Sequence, residues 1–152
     1  MANAKSTPDL LPESEQKHIV VAIEQAEKTT TGEIRVFVES SCMYVDAMER
    51  AKEVFAQLEM HQTVHRNATL VYVALRDKQF ALFGDEAIYQ LTGGPDFWKE
   101  AAAQMVSFFR NEAYGEGIAA AVKAIGSALA QHFPGSAADT PNELPDDIVF
   151  GA

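Results

Sequence analysis

The chain has 152 residues, 22 of them acidic and 12 basic, so its formal net charge is −10. This length is typical of one domain. Its negative charge repels phosphate backbones and anionic lipid headgroups, which argues against nucleic acid and membrane surfaces as partners. The chain contains a single cysteine, Cys42, which excludes an internal disulfide.

The two ends of the chain are predicted to lie outside the main domain. Residues 1–12 contain two prolines and form a flexible arm, and residues 136–152 form a mostly polar tail that we expect to dock on the domain 13–135. The start has no apolar run that resembles a signal peptide. Residues 117–130, the most apolar stretch, are interrupted by Lys123 and are too short to cross a bilayer. We therefore expect a cytoplasmic protein without membrane insertion.

The first half of the domain predicts a helix, a strand and a second helix. Residues 13–28 carry apolar side chains at helical spacing. Residues 33–39 alternate between apolar and polar side chains, which is typical of a strand. Asp46, followed three residues later by Glu49, predicts the capped start of the second helix.

The middle of the chain predicts a strand hairpin. Residues 68–75 form a nearly continuous apolar run, typical of a central strand buried on both faces. Residues 79–83 predict a third strand after a three-residue polar turn. Strands joined by so short a connection must run antiparallel. A short helix follows around residues 87–91.

The last third of the domain predicts two long helices. Asp96 is expected to cap the first of them, and the second covers about residues 115–132. The tail turns apolar at Leu144, Ile148 and Phe150, which we expect to dock as an extended segment.

The predicted order of elements is α-β-α-β-β-α-α-α. A strand, helix and strand in succession form a right-handed parallel pair, and the hairpin adds an antiparallel strand to it. We therefore predict a three-layer α/β/α sandwich, in which helices flank both faces of a small mixed sheet.

This topology brings polar residues from three chain segments to one end of the sheet. Glu33 begins the first strand, Asn67 precedes the second, and Asp85 and Glu86 follow the third. Carboxylate and amide oxygens are the ligands that hard cations prefer. The four residues are thus a candidate metal site. Alternatively, they are strand-end caps, turn residues and salt-bridge partners of nearby arginines.

Two other groups of residues are weaker candidates. Cys42 follows the first strand but has no activating partner nearby in the sequence, so we interpret it as a packing residue. His61 and His65 have the four-residue spacing of helical zinc ligands, but Gln62 stands where a metalloprotease has glutamate.

Five segments carry a family resemblance. They are Thr31–Val36, Arg66–Asn67, Phe83–Asp85, Phe97–Trp98 and the closing Asn142–Ile148. In their order and spacing the chain resembles the TPM domain family, in particular its short, soluble bacterial branch. The likeness extends from about Glu13 to Phe150.

The resemblance implies the same sandwich fold, and a divalent-cation site in some members. It favours Ca²⁺ over Mg²⁺ as the ion. Asn67 matches the asparagine before the second strand in the family, and Asp85 and Glu86 lie in the segment after the third strand. A plant relative is associated with acid phosphatase activity and with repair of the photosynthetic machinery.

Three functions follow as alternatives. The first is a calcium-binding regulatory or interaction module that acts on an unidentified protein partner. The second is a metal-assisted phosphomonoesterase, which rests on the family resemblance alone. The third is a structural adaptor without a bound ion.

Overall fold

The computed structural model describes residues 10–43, 46–92, 95–135 and 144–151. Most of the predicted arm, residues 1–9, and the first part of the tail, residues 136–143, lie outside these ranges. In chain order the elements are α1 (Glu13–Glu27), β1 (Glu33–Glu39), α2 (Ala47–Gln57), β2 (Ala68–Ala74), β3 (Gln79–Gly84), α3 (Glu86–Thr92), a 3-10 turn (Pro95–Trp98), α4 (Lys99–Arg110), α5 (Tyr114–His132) and β4 (Val149–Phe150).

The four strands form one mixed sheet in the order β3-β2-β1-β4. β1 and β2 are parallel, with Glu33 opposite Ala68. β2 and β3 are antiparallel, with Thr69 opposite Gly84. These pairings confirm the predicted parallel pair and hairpin.

Apolar side chains cover both faces of the sheet. On β1, Ile34, Val36 and Val38 belong to the larger core, which also contains residues of α1, α4 and α5. Phe37 points to the opposite face and belongs to a smaller core that contains residues of α2. Every residue of β1 and β2 is buried. The α/β/α sandwich predicted from the sequence is confirmed.

The third long helix begins differently from the prediction. Asp96 lies inside the 3-10 turn Pro95–Trp98, and α4 begins only at Lys99, without a side-chain cap. Proline is favoured in the first turn of a helix because its φ is already helical. Here Pro95 opens a helical turn one residue before Asp96, so the aspartate cannot serve as the N-cap. Asp46, by contrast, does cap α2, since it accepts a hydrogen bond from the Met48 N–H at 2.9 Å.

The described part of the tail packs on the sheet at its β1 edge. β4 pairs in parallel with β1, with Phe37 opposite Val149. Leu144 is buried in the smaller core, whereas Ile148 is buried in the larger one. The tail therefore contacts both layers. Within the described ranges, none of the helices has the length and hydropathy needed to cross a membrane.

Candidate functional site

The strand register brings the predicted polar positions to the same end of the sheet. Glu33 of β1 lies opposite Ala68 of β2, so Asn67 is next to the start of β1. The N–H of Asp85 donates to the carbonyl oxygen of Ala68 at 2.9 Å. The backbone positions of Glu33, Asn67 and Asp85 thus lie at the same end of three neighbouring strands. Their side chains, however, have different partners.

Asp85 is held by an arginine. Arg66 donates from Nε to Oδ2 at 2.7 Å and from Nη2 to Oδ1 at 2.9 Å, which makes the contact bidentate. The same Oδ1 accepts the N–H of Glu86 at 2.7 Å, at the start of α3. The hydrogen bonds with Asp85 raise the pKa of Arg66 above its ordinary value. The negative charge of Asp85 is therefore already compensated.

Glu86 approaches the same guanidinium from the solvent side. Its Oε1 lies 3.4 Å from Nη1 of Arg66, and its side chain is more than half exposed. Arg66 adopts the left-handed backbone region, with φ of 51°, and its carbonyl oxygen accepts the N–H of Ala87 at 3.1 Å. Asp85 and Glu86 thus form the salt bridges that sequence analysis considered as the alternative to metal binding. Their role as metal ligands stays a prediction.

Asn67 is almost completely buried, with 1% of its surface exposed. Its Nδ2 donates to Oγ1 of Thr31 at 3.1 Å. Its Oδ1 has no hydrogen-bond partner among the described residues. A buried amide oxygen without a partner is costly and uncommon. This oxygen is chemically suited to bind a cation or a water molecule.

Glu33 lies on the other side of Asn67, beneath the tail. Its side chain is buried, and its Oε1 accepts the backbone N–H of Leu144. The tail thus contributes a donor to one of the predicted ligands. Glu27 also lies close enough to Glu33 to feel its negative charge.

Glu27 and Asp146 form a carboxyl pair at this edge of the sheet. Glu27 ends α1, and its Oε2 accepts the N–H of Ile34 at 2.8 Å. Burial, followed by the hydrogen bond with Asp146 and the charges of Asp146 and Glu33, raises the pKa of Glu27 to about 9. The pair therefore retains a proton at neutral pH, because two unprotonated carboxylates in contact repel each other.

Sequence analysis did not identify Glu27 or Asp146 as site residues. Glu27 has the appearance of a solvated residue at the end of an amphipathic helix. Asp146 lies within Asn142–Ile148, one of the segments of the family resemblance, but nothing in the sequence pairs it with Glu27. The two residues meet only because the tail returns to the β1 edge.

A cation at this pair would need ligands beyond the acidic side chains. In the described ranges, no three or more His, Cys, Asp or Glu side chains converge closely enough to hold a metal ion. Backbone carbonyls, amide oxygens and water complete the coordination sphere of Ca²⁺ in many proteins. A cation at this pair would therefore have to take most of its ligands from such neutral oxygens.

The opposite end of the sheet contains a buried polar network centred on Glu39. Arg50 donates to both carboxylate oxygens of Glu39, from Nε at 2.9 Å and from Nη2 at 3.0 Å. The hydroxyl of Tyr72 also donates to Glu39. Burial raises the pKa of Tyr72 above its ordinary value, so this hydroxyl stays protonated. The carboxylate of Glu39 and the guanidinium of Arg50 thus neutralise each other within the network.

The remaining candidates from the sequence lie apart from both groups. Cys42 is half-buried; its side chain contacts Tyr72 and its N–H donates to Oδ2 of Asp77 at 2.6 Å. His61 and His65 are exposed and lie beyond the end of α2 at Gln57, so they lack the helical geometry that zinc binding would need.

Comparison with known proteins gives one family match. Residues 5–128 match the model of the TPM domain. No curated protein matches the chain significantly.

Three solved structures share the fold. The NMR structure of BA42 protein from the psychrophilic bacterium Bizionia argentinensis is 38% identical, with a TM-score of 0.85; the match covers 93% of this chain and 95% of that one. The N-terminal domain of cg2496 protein from Corynebacterium glutamicum is 16% identical, with a TM-score of 0.63 and coverage of 85% and 86%. The N-terminal domain of a P. gingivalis protein is 15% identical, with a TM-score of 0.68 and coverage of 82% and 81%.

Proposed function

Because the chain belongs to the TPM domain family, we propose that it is a divalent-cation-binding module, with Ca²⁺ as its ion and a regulatory or interaction role. The observation that carries this proposal is the carboxyl pair of Glu27 and Asp146. At neutral pH this pair holds a proton where a cation would be better accommodated.

The chemistry of the pair favours exchange of its proton for a metal ion. Metal ligands must be deprotonated, so a cation competes with the proton for the carboxyl oxygens. The pKa of Glu27, at about 9, means that the apo site is protonated near neutral pH. Glu33 adds a third negative charge to the field at this position. A divalent cation would neutralise two of these charges and release the proton.

The four residues predicted from the sequence divide between two positions. Glu33 lies beneath the tail, where it accepts the N–H of Leu144, and Asn67 lies next to the start of β1, with no described partner for its Oδ1. Asp85 and Glu86 lie around Arg66, whose charge a cation would have to displace. We therefore assign the principal cation position to the carboxyl pair of Glu27 and Asp146, where Glu33 adds negative charge nearby, and Asn67 remains the candidate neutral ligand.

Ca²⁺ suits this arrangement better than Mg²⁺. Mg²⁺ demands near-ideal octahedral geometry and gives up water reluctantly, whereas Ca²⁺ accepts six to eight oxygen ligands at variable angles. Asp146 lies in an irregular segment of the tail between two buried residues, Leu144 and Ile148. The phosphomonoesterase alternative would need a free cationic group for the phosphate, and Arg66 at this end is engaged by Asp85 and Glu86.

Calorimetric titration of Ca²⁺ into the full chain tests the proposal. Titrations at pH 7 in two buffers with different ionisation enthalpies report both binding and proton release. We expect saturable binding with release of a proton from the Glu27–Asp146 pair. The substitution Glu27→Gln should abolish proton release and weaken binding at least tenfold, by about 1.4 kcal/mol.

Two matched variants complete the experiment. Glu24→Gln removes the same charge from an exposed position on the same helix and should leave Ca²⁺ affinity nearly unchanged. Asp85→Asn tests the other predicted position and should retain binding. Absence of Ca²⁺ binding to the wild-type chain at millimolar ion would refute the function. Loss of binding in Asp85→Asn, with binding retained in Glu27→Gln, would refute the assignment to the carboxyl pair.

A further inference from the structure

The sheet has an unpaired edge at β4. β4 is the last strand in the sheet order and, within the described ranges, pairs only with β1. The N–H of Gly151 donates to the carbonyl oxygen of Val38 at 2.8 Å, so Gly151 faces β1. Successive residues of a strand direct their backbone groups to opposite sides. The N–H and C=O of Phe150 therefore point away from β1, and no residue of the described ranges pairs with them.

An apolar groove of about 450 Å³ lies beside this edge, between β4 and α1. Its apolar lining comes from Ile148 and Phe150 on the strand side and from Val20 and Val21 on the helix side. Val21 is 45% exposed, although Ile19, Ala22 and Ile23 of the same helix are buried. Apolar side chains of α1 are thus left uncovered at the β4 edge of the sheet.

The groove lies where the side chains of a fifth strand would pack. Ile148 and Phe150 are two residues apart, so they share one face of β4, and both pack with the larger core beneath α1. A strand added next to β4 would point alternate side chains into the same layer. Those side chains would fill the groove against Val20 and Val21, while its backbone would pair with Phe150.

Charge indicates the chemistry of the added strand. Glu13 and Asp147 are exposed carboxylates at the rim of the groove, whereas Lys17 is the only basic residue among the described residues that line it. The carboxylate of Asp147 lies 3.6 Å from the guanidinium of Arg35, and its side chain remains 75% exposed. A basic side chain on the outward face of the added strand would lie across from Asp147. Two copies of this chain, each with a net charge of −10, would instead repel each other.

We propose that the β4 edge binds an extended segment of a partner protein, with apolar residues alternating with Lys or Arg, as a fifth strand of the sheet. The backbone of the segment pairs with Phe150, its apolar side chains fill the groove against Val21, and its basic side chains face Asp147. This is strand addition to an exposed sheet edge, a recurrent mode of peptide recognition. The inference is independent of cation binding.

Fluorescence anisotropy with a synthetic peptide tests this inference. The probe is fluorescein-labelled Val-Lys-Val-Lys-Val, titrated with the full chain. We expect saturable binding, together with a shift of the Phe150 amide resonance in NMR spectra. Val21→Lys should raise the dissociation constant at least about tenfold, because it places a charge in the apolar groove where the valines of the peptide pack.

The controls separate strand addition from other contacts. Val106→Lys makes the same change on α4, at a valine that is 39% exposed and lies outside this groove, and should leave the affinity unchanged. A peptide with N-methylated valines keeps the side chains and the charge but cannot donate backbone hydrogen bonds, so it should bind much more weakly. The peptide Val-Glu-Val-Glu-Val should also bind more weakly, because its carboxylates face Asp147.

Three outcomes would overturn the inference. The first is no detectable binding of the lysine peptide to the folded wild-type chain. The second is equal loss of affinity in Val21→Lys and Val106→Lys, which would indicate nonspecific attraction to an acidic surface. The third is a doubled mass in light scattering without peptide, abolished by Val21→Lys, which would show that a second copy of the chain occupies the groove.

Discussion

The side chains of Glu27 and Asp146 share a hydrogen bond, although one residue ends the first helix and the other lies in the C-terminal tail. Both are acids, so the contact is favourable only while a proton remains between them or a cation replaces it. The docking of the tail is thereby linked to pH and to divalent ions.

The first prediction concerns pH. The pKa of Glu27 is raised from 4.5 to about 9 on folding, so the folded chain binds more protons than the unfolded chain between these values. Stability is therefore greatest below the unfolded pKa and is lost as pH rises through the folded pKa. Without divalent ions, we expect the free energy of unfolding to fall by at least about 2 kcal/mol between about pH 5 and pH 9.

Urea denaturation across this pH range measures the effect. Glu27→Gln should remove most of the decline, because an amide donates the same hydrogen bond to Asp146 without titrating. Glu24→Gln, at an exposed position of the same helix, should leave the decline intact. A wild-type chain whose stability rises steadily from pH 5 to pH 9 would contradict the prediction.

The second prediction concerns the buried network around Glu39. Glu39→Ala removes the acceptor of the Tyr72 hydroxyl and the main acceptor of Arg50, whose guanidinium keeps its contact with the half-exposed Glu53, in a largely buried site. Removing one partner of a buried ion pair costs about 3–5 kcal/mol. Tyr72→Phe removes one donor while Arg50 still compensates Glu39, so we expect a cost of only about 1 kcal/mol.

Glu53→Gln is the matched control for this network. Glu53 also contacts Arg50, but its side chain is 38% exposed, and surface ion pairs contribute less than about 1 kcal/mol. Thermal or chemical denaturation of the three variants should rank Glu39→Ala far below the other two. Equal stabilities for Glu39→Ala and Glu53→Gln would show that the network contributes little.

The third prediction concerns Asp85 as a helix cap. Its Oδ1 accepts the first N–H of α3 while both of its oxygens accept from Arg66. Asp85→Ala removes the capping acceptor, a change that costs about 1 kcal/mol. Asp85→Asn keeps an acceptor for Glu86 and should be less destabilising. Faster amide hydrogen exchange in α3 of the alanine variant, but not of the asparagine variant, would support this role; identical exchange in both would count against it.

The fourth prediction concerns the close contact of α1 with α5. A Cβ atom added at Gly126 would lie 2.6 Å from the Cβ of Ala26. Alanine favours a helix over glycine by about 1 kcal/mol, but overpacking a tight contact costs about 1–3 kcal/mol. We expect Gly126→Ala to lower the free energy of unfolding overall.

Adding Ala26→Gly to this variant should relieve the contact and recover part of the lost stability, as measured by chemical denaturation. Ser127→Ala, at an exposed neighbour on α5, should not destabilise; a stabilised Gly126→Ala variant would disprove the steric constraint.

The elements were predictable because their signals are local. Alternation within residues 33–39 and the apolar run from residue 68 determine strands wherever they occur in the fold, and the short turn before Gln79 requires an antiparallel partner. The placement of Glu33, Asn67 and Asp85 at one end of the sheet followed from this topology. Sequence analysis could not choose between ligand and salt-bridge roles for Asp85, because that choice depends on the rotamer of Arg66.

By itself, the sequence determined the helices and strands, the order of the parallel pair and the hairpin, and the end of the sheet at which polar residues gather. Only the tertiary structure decided where the tail lies, and with it the pairing of Glu27 with Asp146 and the open edge at β4. The physical reason is the separation along the chain of the residues that interact. Helices and strands follow from the spacing of neighbouring residues, whereas the tail is placed by two buried side chains, Leu144 and Ile148, and a two-residue strand. Nothing in its own sequence specifies which surface will bury them.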